Sequence, residues 1–167
     1  MKLYLKNLKQ KIAVAEEYSF NAWLRDEILS DFKGKFSAPA EVYLEVENTG
    51  EMFLAKGKLK AKVILECSRC LKESEFPVDI DLYFNIVEKG LQGEFTEENV
   101  VFFTGDEVDI TTYLEEEVML SLPLQPLCKE DCRGLCPFCG ADLNTGACRC
   151  QEQNIDPRWE KLKQLIR

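Results

Sequence analysis

The sequence predicts an α+β fold: an antiparallel strand-rich body with a few helices and a C-terminal four-cysteine metal-knuckle tail. Three observations predict it. Apolar and polar residues alternate through much of residues 40–87, as strands require. One helical stretch, near residues 109–122, ends against Pro123. Six of the eight cysteines lie between Cys128 and Cys150. The division expected is a body over 1–126, a cysteine-rich segment over 127–152 packed on it, and a C-terminal helix over 156–167.

Residues 2–11 alternate loosely and suggest a first strand. Residues 14–30 mix helical spacing with aromatics and support neither a helix nor a strand. Residues 41–46 alternate cleanly, Asn48-Thr49-Gly50 supplies turn chemistry, and 51–66 alternate again. A third strand over 74–87 comes directly after Cys67 and Cys70, so this cysteine pair belongs at a hairpin tip. Residues 89–98 read as an exposed acidic loop, and 100–103 as a short apolar strand. The helix starts at Asp109, with Thr111 or Thr112 as rival caps. An extended connector, 124–126, leads to the cysteines, and Pro157 at a first-turn position opens the last helix.

Composition narrows the class. Hydrophobic residues make up 46% of the 167, enough for a core. Residues 1–72 carry 13 Lys/Arg against 10 Asp/Glu, a net of +3; residues 73–167 carry 8 against 20, a net of −12. An acidic surface disfavours nonspecific nucleic-acid binding. RNA contact would therefore be local to the N-terminal half, while the acidic half suits a basic protein. The first residues interleave lysine with apolar side chains and offer no signal-peptide core, so the expected compartment is cytoplasmic and reducing.

The cysteines come in four close pairs: Cys67/Cys70, Cys128/Cys132, Cys136/Cys139 and Cys148/Cys150. Four pairs make two complete four-thiolate sites. Cys136-Pro137-Phe138-Cys139-Gly140 is the strongest single signal, since proline stiffens the turn and glycine permits a left-handed residue after it. The favoured grouping joins Cys67/Cys70 with Cys128/Cys132, and Cys136/Cys139 with Cys148/Cys150. A rival places Cys128, Cys132, Cys136 and Cys139 on one metal. Zinc (Zn2+) is the expected ion at both sites, with iron as the alternative, because both suit four sulfurs. Arg69, Lys72, Lys129, Arg133 and Arg149 stand close enough in sequence to offset the thiolate charge.

Lys56, Lys58, Lys60 and Lys62 recur at every second position and so share one face of a strand. They make a weak candidate for RNA binding; a solvated face is the plainer reading. Glu115-Glu116-Glu117 reads as a solvated helix face, and Trp23 and Trp159 as packing residues. With no histidine, the commonest general base is missing, and every cysteine has a ligand-spaced neighbour. No catalytic residue is assigned, and an enzyme is not expected.

The segments Glu66-Cys67-Ser68-Arg69-Cys70-Leu71, 115–126 (EEEVMLSLPLQP), 128–144 (CKEDCRGLCPFCGADLN) and Cys148-Arg149-Cys150 together resemble the YceD family. That resemblance implies a bacterial cytoplasmic protein, with plastid relatives, supporting accumulation of 23S ribosomal RNA and assembly of the large ribosomal subunit. Pre-ribosomal RNA or a ribosomal protein would be its partner, with no membrane and no small-molecule substrate. A non-enzymatic scaffold clipped by metal is the first reading. An iron-containing redox protein with a rubredoxin-like knuckle is the second.

Overall fold

A computed structural model describes residues 1–90, 99–146, 148 and 150. The expected helix over 156–167, Trp159, Arg149 and most of the acidic loop lie outside the described residues. Among the described residues, eight strands and one α-helix are formed: β1 (Lys2–Tyr4), β2 (Ala15–Ala22), β3 (Lys35–Phe36), β4 (Ala40–Asn48), β5 (Phe53–Glu66), β6 (Glu73–Glu88), β7 (Val100–Phe103), β8 (Glu107–Asp109) and α1 (Thr111–Ser121). Short 3-10 turns cover Leu8–Gln10 and Asp26–Phe32.

The meander over β4, β5 and β6 forms as its alternation requires. Residues on β5 alternate strictly about Lys56 to Val63, lysines outward and Leu59, Ala61 and Val63 inward. The main sheet runs β2-β4-β5-β6-β7, antiparallel except for the parallel β6–β7 pair. Beyond the end of β4, β3 pairs with β5 at Ile64 and Val63. Pro77 is tolerated inside β6 because β7 pairs only with Asn85–Glu88, leaving that half of β6 as an edge among the described residues. A second, two-stranded sheet joins β1 to β8.

Several boundaries differ from expectation for identifiable reasons. Only Lys2–Tyr4 of the first alternating stretch is strand, and the chain then turns through Leu8–Gln10. The ambiguous segment resolves into β2 plus the Asp26–Phe32 turn. Half-buried Tyr18 and Phe20 carry the strand period, whereas Leu24, Ile28 and Leu29 sit beyond the strand and pack with the turn. The helix begins at Thr111, and Asp109 stays in β8 while accepting a bond from the Thr111 N–H at 2.9 Å.

The inner sheet face is covered by α1 and by the Asp26–Phe32 turn. Leu114 and Val118, one helical turn apart, are fully buried with Leu29, Phe84 and Leu59. Burial of each such side chain contributes about 1.5–3 kcal/mol. Phe84 and Tyr113 stack with ring centroids 4.4 Å apart, fixing α1 against β6. Glu115 corrects the expectation of a solvated acidic run, because it is buried and paired with Arg25. Together, these contacts anchor the base of the β5–β6 hairpin. Its other end runs past β4 and carries Cys67 and Cys70 at its tip.

Candidate metal centres

The sulfurs of Cys67, Cys70, Cys128 and Cys132 converge, as do those of Cys136, Cys139, Cys148 and Cys150, each set lying within 4.8 Å of one another. This is the favoured grouping, and the rival set of four central cysteines is not assembled. Tetrahedral zinc with Zn–S of about 2.3 Å needs sulfurs about 3.8 Å apart. The Cys67–Cys132 separation is 3.9 Å, Cys70–Cys128 is 3.5 Å and Cys136–Cys148 is 3.4 Å. All eight thiols are free of disulfides. Both clusters therefore have the donor set and spacing to hold a tetrahedral metal ion.

Local geometry explains the convergence. The two Cys-x-x-Cys turns are built alike. The Leu71 N–H donates to the Cys67 carbonyl at 2.9 Å, and the Gly140 N–H to the Cys136 carbonyl at 2.9 Å. The Cys67 and Cys136 N–H groups in turn donate to the Lys72 and Ala141 carbonyls, at 2.9 and 2.8 Å. Closure of each turn uses a left-handed residue, Gly140 at φ 71° and Leu71 at φ 61°. Glycine takes that conformation freely; leucine does so at a cost of about 1 kcal/mol.

The turns also tune the thiols. Burial opposes ionisation of Cys67, but the backbone N–H groups of Cys128, Arg69 and Cys70 outweigh it and bring it to about 6. The Cys139 and Phe138 N–H groups bring Cys136 to about 6 as well. Sharing its hydrogen bond with Cys70 pushes Cys128 up to about 12, and the Cys139 thiol does the same to Cys150. Each cluster thus pairs a readily ionised thiol with a reluctant one. A bound cation would replace the retained protons and supply charge neutralisation and a rigid crosslink.

The first cluster joins segments far apart in sequence. The Ser68 N–H donates to the Pro126 carbonyl at 2.8 Å, and Arg69 Nη1 to the Cys132 carbonyl at 2.8 Å. The Leu135 N–H returns a bond to the Arg69 carbonyl at 3.1 Å. Gly134, at φ 74°, lies so close that a Cβ there would sit 2.9 Å from the Arg69 oxygen. The hairpin tip and the tail are interlocked through backbone. Cys67, Cys70 and Cys132 are almost fully buried, whereas Cys139 is exposed.

Of the cations expected to offset thiolate charge, Arg69 meets a carbonyl and Lys72 meets Asp142 Oδ2 at 2.6 Å. The Lys72 ammonium holds the Asp142 carboxyl down at about 2. Lys129 pairs with Asp131 at 3.6 Å. Sequence reasoning singled out neither Asp142 nor Asn144; their only signal was turn composition between Gly140 and Gly146. The lysine row lies on the exposed sheet face, along the strand that leads to the hairpin tip, with carboxylates on both neighbouring strands. Lys58 stands opposite Asp81 and bonds it at 3.0 Å; Lys60 lies between Glu41 and Asp79; Lys62 reaches Glu75 at 3.6 Å. Lys56 faces Glu45 and Tyr83.

Comparison with known sequences gives consistent relatives. The family model described as "Large ribosomal RNA subunit accumulation protein YceD" matches residues 55–166. An uncharacterised protein of Mycobacterium tuberculosis is 37% identical over 126 residues, covering 74% of this chain and 60% of its own length. The chain thus spans about 60% of that mycobacterial relative. An uncharacterised Bacillus subtilis protein is 26% identical, over 65% of this chain and 63% of its own. A chloroplastic YCED homolog of Arabidopsis thaliana, named as a large ribosomal RNA subunit accumulation protein, is 25% identical over 76% of this chain and 48% of its own. No solved structure matches.

Proposed function

The chain belongs to the YceD family, and on that premise we propose that it is a non-enzymatic factor supporting accumulation of 23S ribosomal RNA and assembly of the large ribosomal subunit. The observation that carries this reading is the pair of closed four-cysteine clusters in a chain of that family. Four protein thiolates complete a tetrahedral zinc site and leave no position for substrate or water, so such sites build structure. Zinc is the proposed ion at both clusters. Cys67, Cys70, Cys128 and Cys132 would clip the tail to the hairpin tip, and Cys136, Cys139, Cys148 and Cys150 would close the tail on itself.

In this reading the clipped tail and hairpin present a rigid surface to a component of the large-subunit precursor. The net charge of −12 over residues 73–167 favours a basic ribosomal protein as the direct partner over bare RNA. The carboxylate rows beside the lysines support the same preference. A reduced, bacterial-type compartment such as the cytoplasm suits eight free thiols.

The deciding experiment is depletion in growing cells with complementation by a Cys67→Ser/Cys70→Ser variant. Depletion should lower 23S ribosomal RNA relative to 16S, and the variant should fail to restore it. Full 23S levels after depletion would overturn the reading. A visible absorption spectrum and metal analysis separate zinc from iron, since four-thiolate iron is coloured and zinc is not.

A further inference from the structure

The loop that closes the second cluster also touches the first. Asn144 lies in the stretch between Cys139 and Cys148, so the second cluster's own ligands hold both of its ends. Its Nδ2 donates to Cys132 Sγ at 3.5 Å and to Asp142 Oδ1 at 2.8 Å, and its Oδ1 accepts the Arg133 N–H at 2.9 Å. Asp142 in turn grips Lys72, two residues beyond Cys70, and the Leu143 N–H donates to the Gly134 carbonyl at 3.0 Å. One short loop therefore reaches ligand segments on both sides of the first cluster. The cysteines alone leave these polar contacts unexplained.

An N–H aimed at a ligand sulfur stabilises the thiolate and fixes its direction, which is how groups around a metal site set its affinity. The loop can offer that N–H only where its ends are held. We propose that Asn144, braced by Asp142, is a positioning residue for the Cys67/Cys70/Cys128/Cys132 centre, and that the two centres are thereby coupled. Filling either one raises the affinity of the other, because such linkage is reciprocal. The consequence is directional in practice. Cys139 is the exposed ligand, so solvent and chelators reach the second centre first, and the state of that centre is passed to the buried one. This inference rests on the reading of both clusters as metal centres.

The test uses the full chain loaded with zinc, and with cobalt for spectra. First-centre affinity is measured by competition with a chromophoric chelator in wild type, Asn144→Asp, Asn144→Ala, Lys72→Met and Cys148→Ser/Cys150→Ser. Asn144→Asp keeps the acceptor for Arg133 and removes the donor to sulfur; Lys72→Met leaves the loop sequence intact should an Asn144 variant fail to fold. Both Asn144 variants and the double cysteine variant should bind the first-centre metal about 10- to 100-fold more weakly. Lys72→Met should shift it in the same direction. Asn144→Asp added to Cys148→Ser/Cys150→Ser should cost nothing further. The thiolate-to-cobalt charge-transfer band should move to lower energy in Asn144→Asp, since a sulfur without its hydrogen bond is the better electron donor. Wild type binding two ions, with first-centre affinity unchanged in Asn144→Asp and the double cysteine variant, overturns the coupling and leaves the metal reading intact. Wild type binding no metal overturns the metal reading, and the coupling with it.

Discussion

Glu115 on α1 is buried, and its carboxylate is held by Arg25, whose Nε lies 3.0 Å from both oxygens. The Arg25 backbone N–H adds a second donor at 3.2 Å, and Nη2 a third. Arg25 begins the Asp26–Phe32 turn, so this single contact ties the turn to the helix over the inner sheet face. The glutamate is a latch of the body, not part of an acidic docking surface.

Replacing Arg25 by alanine should therefore destabilise the fold, because it leaves the buried Glu115 carboxylate without its counter-ion. The loss should fall short of the ~3–5 kcal/mol of a fully buried broken pair, because the Arg25 side chain is 63% exposed and screened. Arg25 also holds the Glu115 carboxyl below its ordinary 4.5. A depressed folded value means the latch is fully present above pH of about 4.5 and is lost as pH falls through that folded value. Urea unfolding of both proteins should show their gap shrinking on acidification. A gap constant across that range would remove the ionic explanation.

Leu71 closes the Cys67–Cys70 turn at φ 61° where Gly140 closes its counterpart, and its side chain is 54% exposed. Leu71→Gly should relieve about 1 kcal/mol of backbone strain in the folded state, against a similar rise in unfolded-chain freedom. Thermal stability should thus be unchanged or slightly higher, with metal affinity kept. A loss above about 2 kcal/mol would mean the leucine side chain carries packing that its exposure hides.

Metal removal should act unequally along the chain. A metal ion filling either cluster would contribute on the order of 10 kcal/mol to the segment that it closes. Chelation at neutral pH should raise amide exchange over residues 127–146 and at the 67–72 turn, while β4, β5 and β6 near Val42, Leu59 and Phe84 stay protected. Hydrogen-exchange mass spectrometry reads both. Equal protection with and without chelator would rule out a structural role for the ions.

The lysine row should prove dispensable for RNA contact. Lys56, Lys58, Lys60 and Lys62 stand against Glu41, Glu45, Asp79 and Asp81 on the strands beside them, so the face offers phosphate little net positive charge. Replacing all four with alanine should change RNA affinity less than about twofold and leave its salt dependence alone. A salt slope falling by two or more would restore the row as a phosphate track.

Local rules reached far in this chain. Alternation alone marked β4, β5 and β6, because an antiparallel strand with one wet face must alternate, and Pro123 marked the end of the helix. Cysteine spacing marked four close pairs, since a short turn suffices to aim both thiols of a pair at one point; which pairs share a cluster was decided by the fold. The YceD resemblance was legible in the same motifs. Local rules left open whatever depends on distant partners. Residues 14–30 mixed helical spacing with aromatics and supported neither element, and only pairing with β4 settled Ala15–Ala22 as strand. Glu115 and Glu116 are equally acidic in sequence, yet one is latched by Arg25 across 90 positions and the other is exposed. Asn144 and Asp142 looked like ordinary turn residues until the fold brought their loop against Cys132 and Lys72. Near-neighbour geometry is enough to say which cysteines are spaced as ligands and which segments pair as strands, and a linear chain carries that in full. The polar groups that hold those elements in place emerge on folding, because a charge or an N–H acquires its role from whatever the folded chain sets opposite it.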